Sequence, residues 1–156
     1  MMATDLLKKH HREVATLFRK ALKSEKPKEK TQLVAEIAEK LTLHASLEEE
    51  IFYPAFREEA GDAQKVEDSV LEAYEEHHVV KVLLEEISDA DPKAESYDAK
   101  LTVLKEIVEH HVEEEEEEMF PAAEKKLGKE RLEELAEEIQ TAIGDPDEAP
   151  ARRKAS

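Results

Sequence analysis

Six side chains in this sequence recur at a spacing suited to holding cations. His44 is followed four residues later by Glu48, and His111 by Glu115 in the same way. Residues at i and i+4 share one face of a helix, so each pair can present an imidazole and a carboxylate to one site. His11 and His77 complete the set, the first between Leu7 and Val14, the second between Ala73 and Val80. Four imidazole nitrogens and two carboxylates suit metals that accept both nitrogen and oxygen, such as iron or manganese. Carboxylates can also bridge two ions, which is how six ligands could hold a dinuclear centre in a bundle core.

The elements that must position these residues follow from apolar periodicity. Steps of three and four residues define amphipathic helices over about 4–24, 30–59, 65–87 and 96–127. Lys26-Pro27, Gly61-Asp62, Asp91-Pro92 and Gly128 break or close them. On the inward stripes, Ile37, Leu41, His44, Glu48, Ile51 and Ala55 run along the second helix. Leu104, Val108, His111, Glu115, Met119 and Ala122 run along the fourth. Short connections favour antiparallel neighbours, so the fold class is all-α, an up-down four-helix bundle. Leu132, Leu135, Ile139 and Ile143 add a short fifth helix. The expected organisation is a bundle over 1–128, a helix over 129–143 packing on it, and a disordered tail over 144–156.

The chain also repeats itself. Residues 41–55 align with 108–122 at an offset of 67, pairing His44 with His111, Glu48 with Glu115, Tyr53 with Phe120 and Pro54 with Pro121. His11 pairs with His77 at an offset of 66. Two similar helical hairpins therefore make up the bundle. A single histidine on an apolar stripe is ordinarily a satisfied core residue; four, one per helix and in repeat, call for another explanation. A buried carboxylate without a partner loses on the order of several kcal/mol of hydration. Six polar groups converging at one level need a common counter-charge, which a pair of metal ions supplies.

Neighbouring residues are read more plainly. His10, His78 and His110 sit about 100° from their partners on the helix and belong to the surface or to a supporting layer. Within the acidic run Glu113 to Glu118, register selects Glu115, and most of the others should face water. Tyr53 and Phe120 are read as packing aromatics, Pro54 and Pro121 as architecture, marking bends or late-helix breaks near the ligand level.

Composition narrows the functional classes. The 156 residues carry 23 Lys and Arg against 40 Asp and Glu, a net charge of −17. That balance argues against binding a nucleic-acid backbone or an anionic membrane. There are no cysteines, which removes disulfides, thiolate ligands and a cysteine nucleophile. No long apolar run or signal-like start is present, so the expectation is a cytoplasmic protein, favoured as a monomer.

His11, His44-x-x-x-Glu48, His77 and His111-x-x-x-Glu115 together resemble the pattern of the hemerythrin-like (HHE cation-binding) family. Tyr53-Pro54-Ala55, Phe120-Pro121-Ala122 and Glu76-His77 match its context, and the resemblance covers roughly residues 4–127. It implies a non-haem di-iron centre, oxo- or hydroxo-bridged, with metal ligands His11, His44, Glu48, His77, His111 and Glu115; manganese ranks second. Oxygen-carrying members have a further histidine four residues before the third-helix ligand, where this chain has Ala73. Water or Tyr74 is then left to fill that position, which counts against reversible oxygen carriage. The implied function is binding or turnover of a small oxidant (O2, H2O2 or NO), with catalase-like peroxide decomposition as one version. The alternative is an iron- or oxygen-responsive sensor whose fold depends on metal occupancy.

Overall fold

The computed structural model describes residues 1–144, and the tail expected to be disordered lies outside the described residues except for Gly144. Six helices follow one another: α1 Ala3–Lys23, α2 Pro27–Leu47, α3 Tyr53–Ala60, α4 Gln64–Asp89, α5 Glu95–Glu114 and α6 Phe120–Ile143. There is no strand among the described residues. A π-helical turn, Glu48–Phe52, joins α2 to α3, and a second, Glu115–Met119, joins α5 to α6. With those joins the chain forms four long rods in an up-down bundle, α1 packing along α2 and α4 along α5.

Local chemistry sets the ends. The Met2 backbone N–H donates to Asp5 Oδ2 at 3.0 Å, satisfying one of the free donors at the start of α1. Pro27 opens α2, where its missing N–H leaves no helical bond unmade. Gly128 has φ 78° and interrupts α6, a left-handed value that glycine adopts without penalty. The interruption separates the end of the fourth rod from the short fifth helix.

The two π turns lie directly before Pro54 and Pro121, where bends or late-helix breaks are expected, and give those breaks their form. Pro54 and Pro121 have no N–H to donate four residues back, and a proline ring crowds that carbonyl. In each case the bond forms one position earlier: Tyr53 N–H donates to Glu48 O, and Phe120 N–H to Glu115 O. Each turn therefore holds one extra residue, and the inward stripe moves by one beyond it. Phe52 and Phe56 are buried where Ile51 was expected to continue the stripe, and Ala123 is buried while Ala122 is only half-buried.

Two apolar clusters fill the bundle. One contains Leu6, Leu7, Phe52, Tyr53, Phe56 and Phe120, together with Leu132, Leu135 and Ile139 of the fifth helix. The other contains Val14, Phe18, Ile37, Leu84, Leu101 and Leu104. His11 lies between Leu7 of the first cluster and Val14 of the second, which marks the level of the polar site.

Candidate metal centre

All six sequence-selected residues meet at this level. Glu48 and Glu115 are 0% and 1% exposed, His11, His44 and His111 are buried, and His77 is half-buried. Each imidazole turns Nε2 inward. Glu48 Oε2 is 3.3 Å from His44 Nε2, and its Oε1 is 3.1 Å from His77 Nε2. Glu115 Oε1 is 3.2 Å from His11 Nε2 and 3.5 Å from His111 Nε2. Both carboxylates thus reach histidines from both hairpins. Within each hairpin the imidazoles are close, His11 Nε2 to His44 Nε2 at 3.0 Å and His77 Nε2 to His111 Nε2 at 3.2 Å.

The outward ring nitrogens explain the orientation. His11 Nδ1–H donates to Glu116 Oε2, His77 Nδ1–H to Glu49 Oε2 and His111 Nδ1–H to Glu76 Oε1, each at 2.6 Å. A carboxylate can only accept, so these bonds place a proton on Nδ1, and in the neutral imidazole they leave the Nε2 lone pair facing inward. This is the arrangement a metal-binding imidazole uses. None of the three carboxylates is singled out for this role in the sequence, where Glu76 enters only as the neighbour of His77. In particular, Glu116 is half-buried and engaged, against the expectation that most of the acidic run faces water. Their signal is faint: Glu49 and Glu116 are related by the 67-residue offset, but each sits in an unbroken run of glutamates.

Tyr53 also enters the site, contrary to its reading as a packing aromatic. Its hydroxyl donates to Glu115 Oε2 at 2.6 Å and also lies 3.1 Å from Glu48 Oε1. The π turn is the cause. Five residues separate Glu48 from Tyr53, which in an α-helix would set them about 140° apart, whereas a widened turn brings them to one face. Tyr53 stacks on His77 at 5.8 Å, and its repeat partner Phe120 stacks on His11 at 5.9 Å. Tyr74, next to Ala73, meets Tyr53 edge-on at 5.7 Å and lines the same cavity as His11, His44, His77 and His111.

Charge is concentrated here. Burial opposes a proton on His44, but Glu48 and Glu115 outweigh it and raise the imidazole to about 10. His111 behaves alike, burial being outweighed by Glu115, Glu48 and Glu76, and is raised to about 11. Burial also works against charge on Glu48, yet His44, Glu115 and His111 hold it well below the usual range. Burial and the two carboxylates push Tyr53 well above 10, so its hydroxyl remains a donor.

Two tests bear on whether the residues fit a cation. Glu48 Oε2 and Glu115 Oε1 are buried with no hydrogen-bond donor, and so is His44 Nδ1 with no partner. Unsatisfied buried carboxylate oxygens beside inward Nε2 atoms, which offer lone pairs once a cation displaces their protons, form a donor set that a cation completes. His11, His44, Glu48 and Glu115 present ligand atoms within 4.8 Å of one another, as do Glu48, His77 and His111. Glu48 is common to both groups.

A profile of the family described as hemerythrin HHE cation-binding domain matches residues 2–123. The chain belongs to this family. Its structure is similar to the crystal structure of a hemerythrin HHE cation-binding domain-containing protein from Mycobacterium kansasii. The TM-score is 0.78 at 26% identity, covering 92% of this chain and 85% of that one. It is also 32% identical over 142 residues to a protein of Nostoc sp. named DNA nickase. That match takes in 91% of this chain but spans only 39% of the relative. The HHE chain therefore corresponds to one part of a longer protein there. Among its described residues, no helix is long and apolar enough to cross a membrane.

Of the bystander histidines, His78 and His110 are exposed, and His110 pairs with Glu114 at 3.0 Å. His10 is half-buried and stands edge-on to His44, ring centroids 5.8 Å apart. Burial and His44 lower it to about 4, so it is neutral at pH 7.

Proposed function

We propose that this HHE chain holds two iron ions and binds or turns over a small oxidant, O2, H2O2 or NO. The observation that carries the reading is the pair of donor-less carboxylate oxygens, Glu48 Oε2 and Glu115 Oε1, facing inward imidazole nitrogens. His11 and His44 would hold one ion and His77 and His111 the other, with Glu48 and Glu115 placed to offer a carboxylate to both. Four imidazoles with two carboxylates favour iron, with manganese second. Bound iron would supply the electrons, or the open coordination, that a small oxidant requires.

The chain's own residues shape the rest. Beyond the histidines lies a cavity of about 460 Å³ whose wall combines Val14, Leu84 and Val108 with Glu49, Glu50 and Lys81, which leaves room for a small molecule beside the candidate ligands. The Tyr53 hydroxyl keeps its proton and holds Glu115 and Glu48 in place through it. Glu49, Glu76 and Glu116 fix three imidazoles in the tautomer that leaves Nε2 open. The name of the Nostoc relative would suggest DNA as a partner, but a net charge of −17 opposes phosphate binding, and the reading retains no nucleic acid.

Metal analysis of the purified protein, combined with visible spectra before and after peroxide, tests the reading. About two irons per chain and a charge-transfer band that peroxide changes are expected. A chain purified without iron that takes none up overturns it, as does iron content unchanged by Glu48→Ala with His111→Ala. A sensor is the second reading, favoured by the burial of the cluster between the two apolar clusters, which couples occupancy to folding.

A further inference from the structure

The repeat that relates the two hairpins extends to the groups behind the ligands. Glu116 behind His11 corresponds to Glu49 behind His77, at the offset of 67. Behind His111 stands Glu76, and the corresponding position 66 residues earlier is His10, beside His44. The correspondence holds in space but fails in chemistry. Glu76 accepts the Nδ1–H of His111 at 2.6 Å, whereas His44 Nδ1 is buried with no hydrogen-bond partner. The His10 ring meets His44 only edge-on, with centroids 5.8 Å apart.

A carboxylate on Nδ1 fixes the ring and tautomer and makes Nε2 a better ligand, and such partners typically change metal affinity by about 10- to 100-fold. Both imidazoles of the His77–His111 pair have this support. In the other pair His11 has it and His44 does not. We propose that His10, standing where the repeat calls for a carboxylate, makes the two metal positions unequal. The His77–His111 position fills first and retains its ion; the His11–His44 position fills second and releases its ion more readily. At limiting metal the chain is then half-loaded. This inference rests on the metal-binding reading above.

The test is a titration of the chelated full chain with cobalt(II), followed by its visible absorption and by bound-metal analysis. Two uptake steps separated by about 10- to 100-fold in affinity are expected. His10→Glu supplies the missing acceptor and should strengthen the second step until the two merge. Glu76→Gln replaces the carboxylate on the other side with a neutral, weaker acceptor and should merge them by weakening the first. Circular dichroism reports whether each variant folds, and if His10→Glu does not, Glu76→Gln alone decides. Two ions bound with equal affinity by the unaltered chain overturn the inequality, and steps that a folded Glu76→Gln leaves apart overturn its origin in the His10–Glu76 difference; both leave the metal-binding reading intact. A chain that binds no ion overturns that reading itself.

Discussion

The Tyr53 hydroxyl lies 2.6 Å from Glu115 Oε2, joining two residues 62 positions apart in the sequence and on different rods of the bundle. It is also 3.1 Å from Glu48 Oε1, so one phenol ties both carboxylates together. Tyr53→Phe should leave the fold intact, because Phe120 already fills the repeat-related position without a hydroxyl. It strips buried carboxylate oxygens of a donor, at a cost of about 1–3 kcal/mol. Urea unfolding of the chelated variant should show that loss. The metal-loaded variant should lose less, since a cation can compensate the carboxylates; equal losses in both forms would place Tyr53 outside the centre's electrostatics.

The six candidate ligands are legible in the sequence because helical spacing puts them on inward stripes and the repeat selects them twice over. Tyr53 is not legible by the same rule. An i+5 spacing points away from Glu48 in a regular α-helix, and only the proline-induced π turn brings it back. Glu49, Glu76 and Glu116 escape for another reason. Each sits one residue off its own helix's ligand stripe and serves an imidazole on a different rod, so neither local register nor composition singles it out. The fold class is legible throughout, and so are the breaks at Pro54 and Pro121, whereas their π form is not, because a periodicity has no term for an inserted residue.

The chelated protein should lose stability as the pH rises. His44 and His111 are raised to about 10 and about 11 in the folded chain against 6.5 for the ordinary group, despite burial, because Glu48 and Glu115 face them. Their contribution is complete below about 6.5 and is lost as the pH climbs through about 10 to 11. Metal ligation uses the neutral imidazole and so displaces these protons. Thermal melts at pH 6, 7.5 and 9 should therefore show a falling Tm with chelator and a widening gain from added manganese(II). A gain that shrinks towards pH 9 would contradict this linkage.

Metal removal at a single pH gives a second readout. Two ions bound at about 1,000 times their dissociation constants add roughly 4 kcal/mol each, and for a chain of this size each kcal/mol is worth about 2–4 °C. Chelation should lower Tm by more than 10 °C while far-ultraviolet circular dichroism at 20 °C stays helical, because the two apolar clusters remain. Collapse of the helical signal on chelation would instead favour the sensor reading, in which occupancy controls the fold.

The fifth helix should prove integral to the core near the site. Leu132, Leu135 and Ile139 are 0%, 1% and 0% exposed and share a cluster with Leu6, Leu7, Tyr53 and Phe120. Phe120 in turn stacks on His11, and Tyr53 bonds both candidate bridging carboxylates. Leu132→Ala removes a fully buried side chain and should cost about 2–5 kcal/mol by urea unfolding. Ending the chain at Gly128 would uncover the whole cluster beneath, so dye binding to exposed apolar surface should rise and metal retention fall. A truncated chain as stable as the full one, with unchanged metal uptake, would show that the bundle closes without this helix.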